Sequence, residues 1–171
     1  MAVRFGILTI SDRSALGIRA DTSGPALAER VQNLGWEIIC QEILPDDQQA
    51  ISEKLSSWAD SGKLDVILTT GGTGFTSRDV TPEATLSVIE RQASGLAEAM
   101  RAASLQVTPH AMLSRAVAGI RKQTLIINLP GNPRAALENL EVVIPVIPHA
   151  VELLGDEEQA EAGHQYKKQS H

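Results

Sequence analysis

Short apolar runs alternate along the chain with stretches whose apolar positions recur at helical spacing, the pattern of repeated strand–helix–strand units around a buried sheet. Val3 to Ile10 reads as a buried strand ending at Ser11-Asp12-Arg13-Ser14. Gly17 to Gly24 reads as a loop, Pro25 suits the first turn of a helix to Leu34, and Gly35 stops that helix. Trp36 to Glu42 is the second predicted strand. Leu44-Pro45-Asp46-Asp47 breaks it, and Asp46 or Asp47 can cap a helix that continues to Asp60. A third strand, Leu64 to Thr70, runs directly into Gly71-Gly72-Thr73-Gly74. Thr81-Pro82-Glu83 has the order of an N-cap, a first-turn proline and an acidic first turn, opening a helix to Arg91.

A further helix is expected over Gly95 to Leu105, and a fourth strand over Thr124 to Leu129. Pro130-Gly131-Asn132-Pro133 closes that strand, with Asn132 and Pro133 forming a second cap-plus-proline start for a helix to Glu141. Pro145 and Pro148 interrupt the segment after that helix, and Pro148 opens a last helix to Leu154. The pattern predicts an α/β fold in one domain, residues 1–155. Its sheet is mostly parallel with helices on both faces, a three-layer arrangement of Rossmann type. Residues 156–171 are polar and aperiodic and are expected to form a flexible C-terminal tail. Neither a repeat nor a domain linker is found.

Composition narrows the function. Aromatic residues make up only 3% of the 171, so Val, Ile, Leu and Ala must fill the core. A net charge of −6 argues against a nucleic-acid partner, which calls for a basic face. It leaves phosphate ligands open, because backbone N–H groups bind anions without basic side chains. The single cysteine, Cys40, excludes an internal disulfide and any multi-cysteine metal site. No apolar run reaches the length of about 18 residues that a membrane helix needs. With no signal-type lead before Val3-Arg4-Phe5-Gly6, a cytoplasmic location is expected.

The chemically rich positions fall just after strands, where ligands of open parallel sheets bind. Gly71-Gly72-Thr73-Gly74 allows a tight turn and a close backbone approach to a phosphate, or is simply a turn. It is neither a P-loop nor a dinucleotide fingerprint. Asp79 is either an oxygen ligand for magnesium beside that turn or a surface cap. Asp46 and Asp47 offer a second such ligand or plain helix capping. Ser11-Asp12-Arg13-Ser14 either binds a polar head group or turns the chain. Ser114 and Arg115 suit an anionic ligand, or are solvated. The four histidines lack zinc-type spacing, and no nucleophilic triad can be assembled.

Taken in order, these motifs resemble a known family. Thr70-Gly71-Gly72-Thr73-Gly74-Phe75-Thr76-Ser77-Arg78-Asp79-Val80-Thr81-Pro82-Glu83-Ala84-Thr85 is similar to the signature of bacterial Mog-type molybdopterin adenylyltransferases and of the G domains of gephyrin and its plant counterpart. Ala111-Met112-Leu113-Ser114-Arg115, Ala118-Gly119-Ile120-Arg121 and Leu129-Pro130-Gly131-Asn132-Pro133 continue the likeness. Leu8-Thr9-Ile10-Ser11-Asp12-Arg13 and Leu44-Pro45-Asp46 fit the first two strand ends. The resemblance covers residues 3–154 and implies a molybdopterin-binding type of fold. It further implies AMP transfer from Mg-ATP to the phosphate of molybdopterin, with ATP as co-substrate and Mg2+ as cofactor.

The family's two essential aspartates fall on Asp46 and Asp79, as catalytic and metal-binding residues. Gly71, Gly72, Thr73 and Gly74 become the anion cradle. Ser11, Asp12, Ser114, Arg115, Pro130, Gly131, Asn132 and Pro133 become candidate walls of a molybdopterin and nucleotide site. The resemblance also implies a homotrimer that works beside a separate molybdenum insertase. Insertase domains themselves typically carry Gly-Asp-Tyr-Asp after the glycine turn, where this chain has Ser77-Arg78-Asp79-Val80. The remaining alternative is a non-catalytic molybdopterin-binding module of the same fold.

Overall fold

The computed structural model describes residues 2–155, so the expected tail at 156–171 lies outside the described residues. Six strands form one sheet: β1 (Arg4–Ile10), β2 (Glu37–Leu44), β3 (Val66–Thr70), β4 (Arg91–Gln92), β5 (Ala118–Arg121) and β6 (Thr124–Leu129). Their order is β2-β1-β3-β6-β5-β4. The first four in space run parallel, and β5 and β4 add an antiparallel edge. The helices are α1 (Asp12–Ala15), α2 (Ser23–Asn33), α3 (Gln48–Asp60), α4 (Thr81–Val88), α5 (Ser94–Leu105), α6 (Pro133–Val143) and α7 (Ile147–Gly155).

Strand alternation divides the core into two layers. Phe5, Ile7, Val66, Leu68, Leu125 and Ile127 meet Leu27 and Val31 of α2, Met100 of α5, Leu140 of α6 and Val151 of α7. Leu8, Ile10, Ile67 and Ile126 point the other way, onto Leu55 and Trp58 of α3 and Ala84 and Val88 of α4. The central strands are therefore buried on both faces, which is why they read as continuous apolar runs rather than alternating ones. The chain leaves β1 for β2 on one side and then crosses β1 to reach β3 on the other. The topological switch lies between β1 and β3, where loops diverge and leave a crevice.

Two strands were missed in the sequence. β4 has two residues and β5 has four, too few to establish a period. Pairing in space creates them: Glu90 N donates to Ile120 O at 2.8 Å and Ala93 N to Ala118 O at 2.8 Å. For the same reason α4 ends at Val88, not Arg91, with Ile89 already extended (φ −76°, ψ 147°). Thr81 is not a side-chain cap. Val80 occupies the cap position and makes no side-chain cap bond. The Thr81 hydroxyl instead donates to Gly71 O at 2.9 Å. Of the adjacent aspartates, Asp47 caps α3, accepting from Ala50 N at 2.7 Å, and Asp46 is left for other contacts. Asn132 caps α6 as its sequence position indicates, accepting from Ala135 N at 3.1 Å.

Asn128 sits fully buried in the sheet, as do Thr69 and Thr70 on the adjacent strand. Asn128 donates to the hydroxyls of Thr69 (3.0 Å) and Thr85 (2.9 Å) and accepts from Val117 N (3.2 Å). It ties β6 to β3, α4 and the segment leading into β5. Replacing Asn128 by Leu strands the Val117 N–H without a partner and should cost about 2–3 kcal/mol. Urea unfolding measures this, and a loss below about 1 kcal/mol would show that the network re-pairs on its own.

Candidate active site at the carboxyl edge of the sheet

The carboxyl ends of β1, β2, β3 and β6 open onto one edge, and the turn after β3 is packed against its neighbours backbone to backbone. Gly71 and Gly72 have φ of 103° and 68°, which side-chain-bearing residues rarely adopt. A Cβ at Gly71 would run into the Ile10 carbonyl, and one at Gly131 would lie 3.2 Å from Gly71 Cα. Gly71 N donates to Leu129 O at 3.1 Å, and Thr70 Oγ1 to Pro130 O at 2.7 Å. The Gly71 amide is thus spent on β6. Gly72 also lines the crevice, and a Cβ there would collide with the Thr81 hydroxyl and sit 3.2 Å from Asp46 Oδ1.

A cavity of about 390 Å³ lies beside this turn. Ser11, Asp46, Gly71, Gly72, Asp79, Gly131 and Asn132 all line it, so four separate loops converge as the sheet topology requires. Asp12 is not in its lining but holds Asp46 in place. Asp12 N donates to Asp46 Oδ2 and Asp46 N to Asp12 Oδ1, both at 2.9 Å. Arg78 clasps Asp12 in turn with two bonds of 2.9 Å. Asp79 is oriented from within its own loop, its Oδ2 accepting from Thr76 N and Thr76 Oγ1, each at 2.9 Å.

The remaining expected residues have other surroundings. Thr73, Gly74, Ser114 and Pro130 line a second cavity of about 280 Å³, which also touches Arg101 and His110. Pro133 lines neither of these cavities. Arg115 is committed to protein partners: it donates to Gly74 O (2.8 Å) and Asp79 O (2.7 Å) and pairs with Glu83. It anchors the glycine loop from below. The sequence reading missed Asp21, Thr22 and Ser23, which line the first cavity with Thr9 and Arg19. Asp21 accepts from Thr9 Oγ1 at 2.7 Å and from Gly24 N at 3.1 Å. Its signal was the Asp-Thr-Ser-Gly sequence ahead of Pro25, a side-chain-to-backbone turn pattern read only as a loop.

Burial pushes the Asp46 carboxyl above the usual carboxylate range, opposed by the Asp12 amide. The Asp12 and Asp79 charges raise it further, while Arg78 lowers it. Asp12 moves down, chiefly because the Asp46 amide donates to it, helped by Arg78. Asp46 and Asp79 therefore face one crevice and repel across it. Among the described residues no cluster of three or more His, Cys, Asp or Glu forms a metal cage. A pair of carboxylates fits a hard cation that takes its other oxygens from phosphates and water.

A glycine turn beside two carboxylates, at the switch point of a wound sheet, defines an α/β protein equipped for phosphorylated ligands. Residues 6–149 match the family described as a probable molybdopterin binding domain, and the chain belongs to that family. Gephyrin from Dictyostelium discoideum is 47% identical over 159 residues, covering 87% of this chain and 22% of its own length. The cinnamon protein of Drosophila melanogaster, a molybdenum cofactor synthesis protein, is 41% identical and is covered over 26% of its length. The chain thus spans about a quarter of these two relatives. Molybdopterin adenylyltransferase of Helicobacter pylori is 43% identical, with 89% of this chain and 88% of that protein covered. Among solved structures, the molybdopterin biosynthesis enzyme MoaB of Thermus thermophilus superposes with a TM-score of 0.85 at 49% identity. That match covers 90% of this chain and 98% of the other.

The raised carboxyl has a thermodynamic consequence. A carboxyl that binds its proton more tightly when folded disfavours the folded state once pH exceeds its folded pKa. Asp46→Asn keeps an oxygen acceptor for the Asp12 amide and removes the charge. It should raise the melting temperature of the ligand-free protein at neutral pH, with the gain fading as pH falls through the Asp46 pKa. Differential scanning calorimetry across pH 3 to 8 tests this, and a pH-independent difference would remove the electrostatic account.

Proposed function

We propose that this protein is a molybdopterin adenylyltransferase that transfers AMP from Mg-ATP to the phosphate of molybdopterin. The observation that carries this reading is the convergence of Asp46 and Asp79, from loops after different strands, on one cavity beside the Gly71-Gly72 turn. Family membership and the names of relatives covered over most of their length support it. In the reaction a phosphate oxygen of molybdopterin bonds to the α-phosphorus of ATP. The bond from that phosphorus to the bridging oxygen breaks, and pyrophosphate leaves with its electron pair.

The chain's own part is positioning and charge. Gly72 lets phosphate approach the backbone, and Ser11, Asn132 and the Gly131 backbone wall the crevice. Asp12 and Thr76 orient the two aspartates. Asp46 and Asp79 would hold a magnesium ion together with the phosphates, and it would supply neutralisation of the charge that builds on the reacting oxygens. The active assembly is a homotrimer in the cytoplasm, and a separate molybdenum insertase receives the product. No described helix is long and apolar enough to cross a membrane.

Asp46→Ala and Asp79→Ala should each lower pyrophosphate release from ATP and molybdopterin by about a thousandfold or more, because charge neutralisation is worth several kcal/mol. The double variant should be little slower than either single one, since the two act as a unit. Molybdopterin binding should survive in all three. Near-normal turnover of either single variant at saturating magnesium would remove that aspartate from the site. Light scattering of the 18.3 kDa chain should return about three times that mass, and a stable monomer at micromolar concentration would contradict the trimer.

A further inference from the structure

The crevice proposed to take a triphosphate is lined by three carboxylates, Asp21, Asp46 and Asp79, against one cation, Arg19. A polyanion entering it meets repulsion that one magnesium ion does not fully offset. Arg115 beside Asp79 is committed to Glu83 and backbone carbonyls, which leaves Arg78, one residue before Asp79. It reaches from the loop after β3 to Asp12, at the start of the loop after β1, so it bridges the two loops that flank the switch point. The Arg78 side chain is 62% exposed and the Asp12 side chain 35% exposed. Solvent screens an exposed ion pair, and the two-bond fork of Arg78 on Asp12 is the geometry that holds best against that screening. A planar guanidinium that matches a carboxylate fork matches a phosphate equally well.

We infer that Arg78 is a phosphate ligand held in reserve by Asp12. Its bridge joins the β1 end to the loop after β3 in the ligand-free protein and exchanges the carboxylate for a phosphate group when a polyphosphate binds. The inference rests on the proposed nucleotide reaction for its biological meaning, but the exchange itself requires only a polyphosphate. Its logic lies in the neighbouring residues. Asp79 is oriented by Thr76 and its backbone is held by Arg115, so the loop keeps its shape when Arg78 leaves Asp12. Asp12 keeps its reciprocal bonds to Asp46 as well, so release of Arg78 does not dismantle the aspartate pair.

Ligand and strut make opposite demands. If Arg78 merely braces the loops, Arg78→Gln and Asp12→Asn break the same bridge and change binding in the same direction. If Arg78 is a phosphate ligand restrained by Asp12, the two substitutions act in opposite senses. The probe is inorganic tripolyphosphate, titrated calorimetrically into the full chain with and without magnesium, after thermal melts confirm folding. Arg78→Gln should weaken binding about tenfold, and Arg78→Lys should recover part of the loss. Asp12→Asn keeps the oxygen that accepts from Asp46 N and should tighten binding a few-fold. That gain should vanish in the Arg78→Gln background, as a double-mutant cycle requires.

Weakening by both substitutions, a gain from Asp12→Asn that persists without Arg78, or no tripolyphosphate binding by the unaltered protein would each overturn the inference. Pyrophosphate release from ATP and molybdopterin is measured on the same preparations. Opposite shifts without turnover leave the Arg78 inference standing and remove the proposed activity. Turnover with parallel shifts does the reverse.

Discussion

The contact between the backbone of the Gly71-Gly72 turn and the ends of β1 and β6 is the constraint on which the site depends. Ile10 O presses against Gly71 so closely that no Cβ fits there, a Cβ at Gly131 would lie only 3.2 Å from Gly71 Cα, and the left-handed φ values at Gly71 and Gly72 exclude most other residues independently. This packing brings the loop after β3 within reach of the loops after β1 and β2. Asp79 enters the crevice from one wall and Asp46 from the other because three backbones meet with nothing between them. Side chains at these positions would separate the loops and the two carboxylates with them.

The polar bonds around that contact form a chain from the sheet to the site. Asn128 holds the hydroxyls of Thr69 and Thr85, Thr85 donates to Thr81 O, and Thr81 donates to Gly71 O. Each link is buried, so each broken link leaves an unpaired group in a low-dielectric interior. The glycine turn is thereby tied by buried bonds to the core it rises from. Arg115 extends the support to the far side of the loop by capturing two backbone carbonyls and Glu83. An arginine in the family-like Ser114-Arg115 motif thus serves the site by shaping its loop.

The electrostatics run against stability, as is common at functional sites. Asp46 is half-buried, close to two other carboxylates, and its carboxyl rises above the usual range. Asp60 is the contrast: paired with Arg121 and Lys122, it is held down to about 2. The contrast marks the crevice as a place where negative charge is poorly compensated. A fold selected only for stability would have placed an amide at Asp46.

The sequence alone determined the parallel core, because strands buried on both faces must be written as unbroken apolar runs and their helices as periodic ones. It also determined where chemistry could occur, since polar and glycine-rich residues cluster where those runs stop, and the order of motifs was specific enough to mark the family. Tertiary structure decided which of these residues meet. Asp46 and Asp47 are equivalent as cap signals in the sequence, and only the loop geometry gives Asp47 to α3 and Asp46 to the crevice. Thr81 carries the signature of a cap, yet a buried carbonyl at Gly71 is the stronger partner. The Arg78 bridge had no pattern to announce it, because its partner Asp12 lies after another strand and sequence periodicity records only neighbours along one element. β4 and β5 were invisible for the same reason: two and four residues become strands only when an edge is there to pair with.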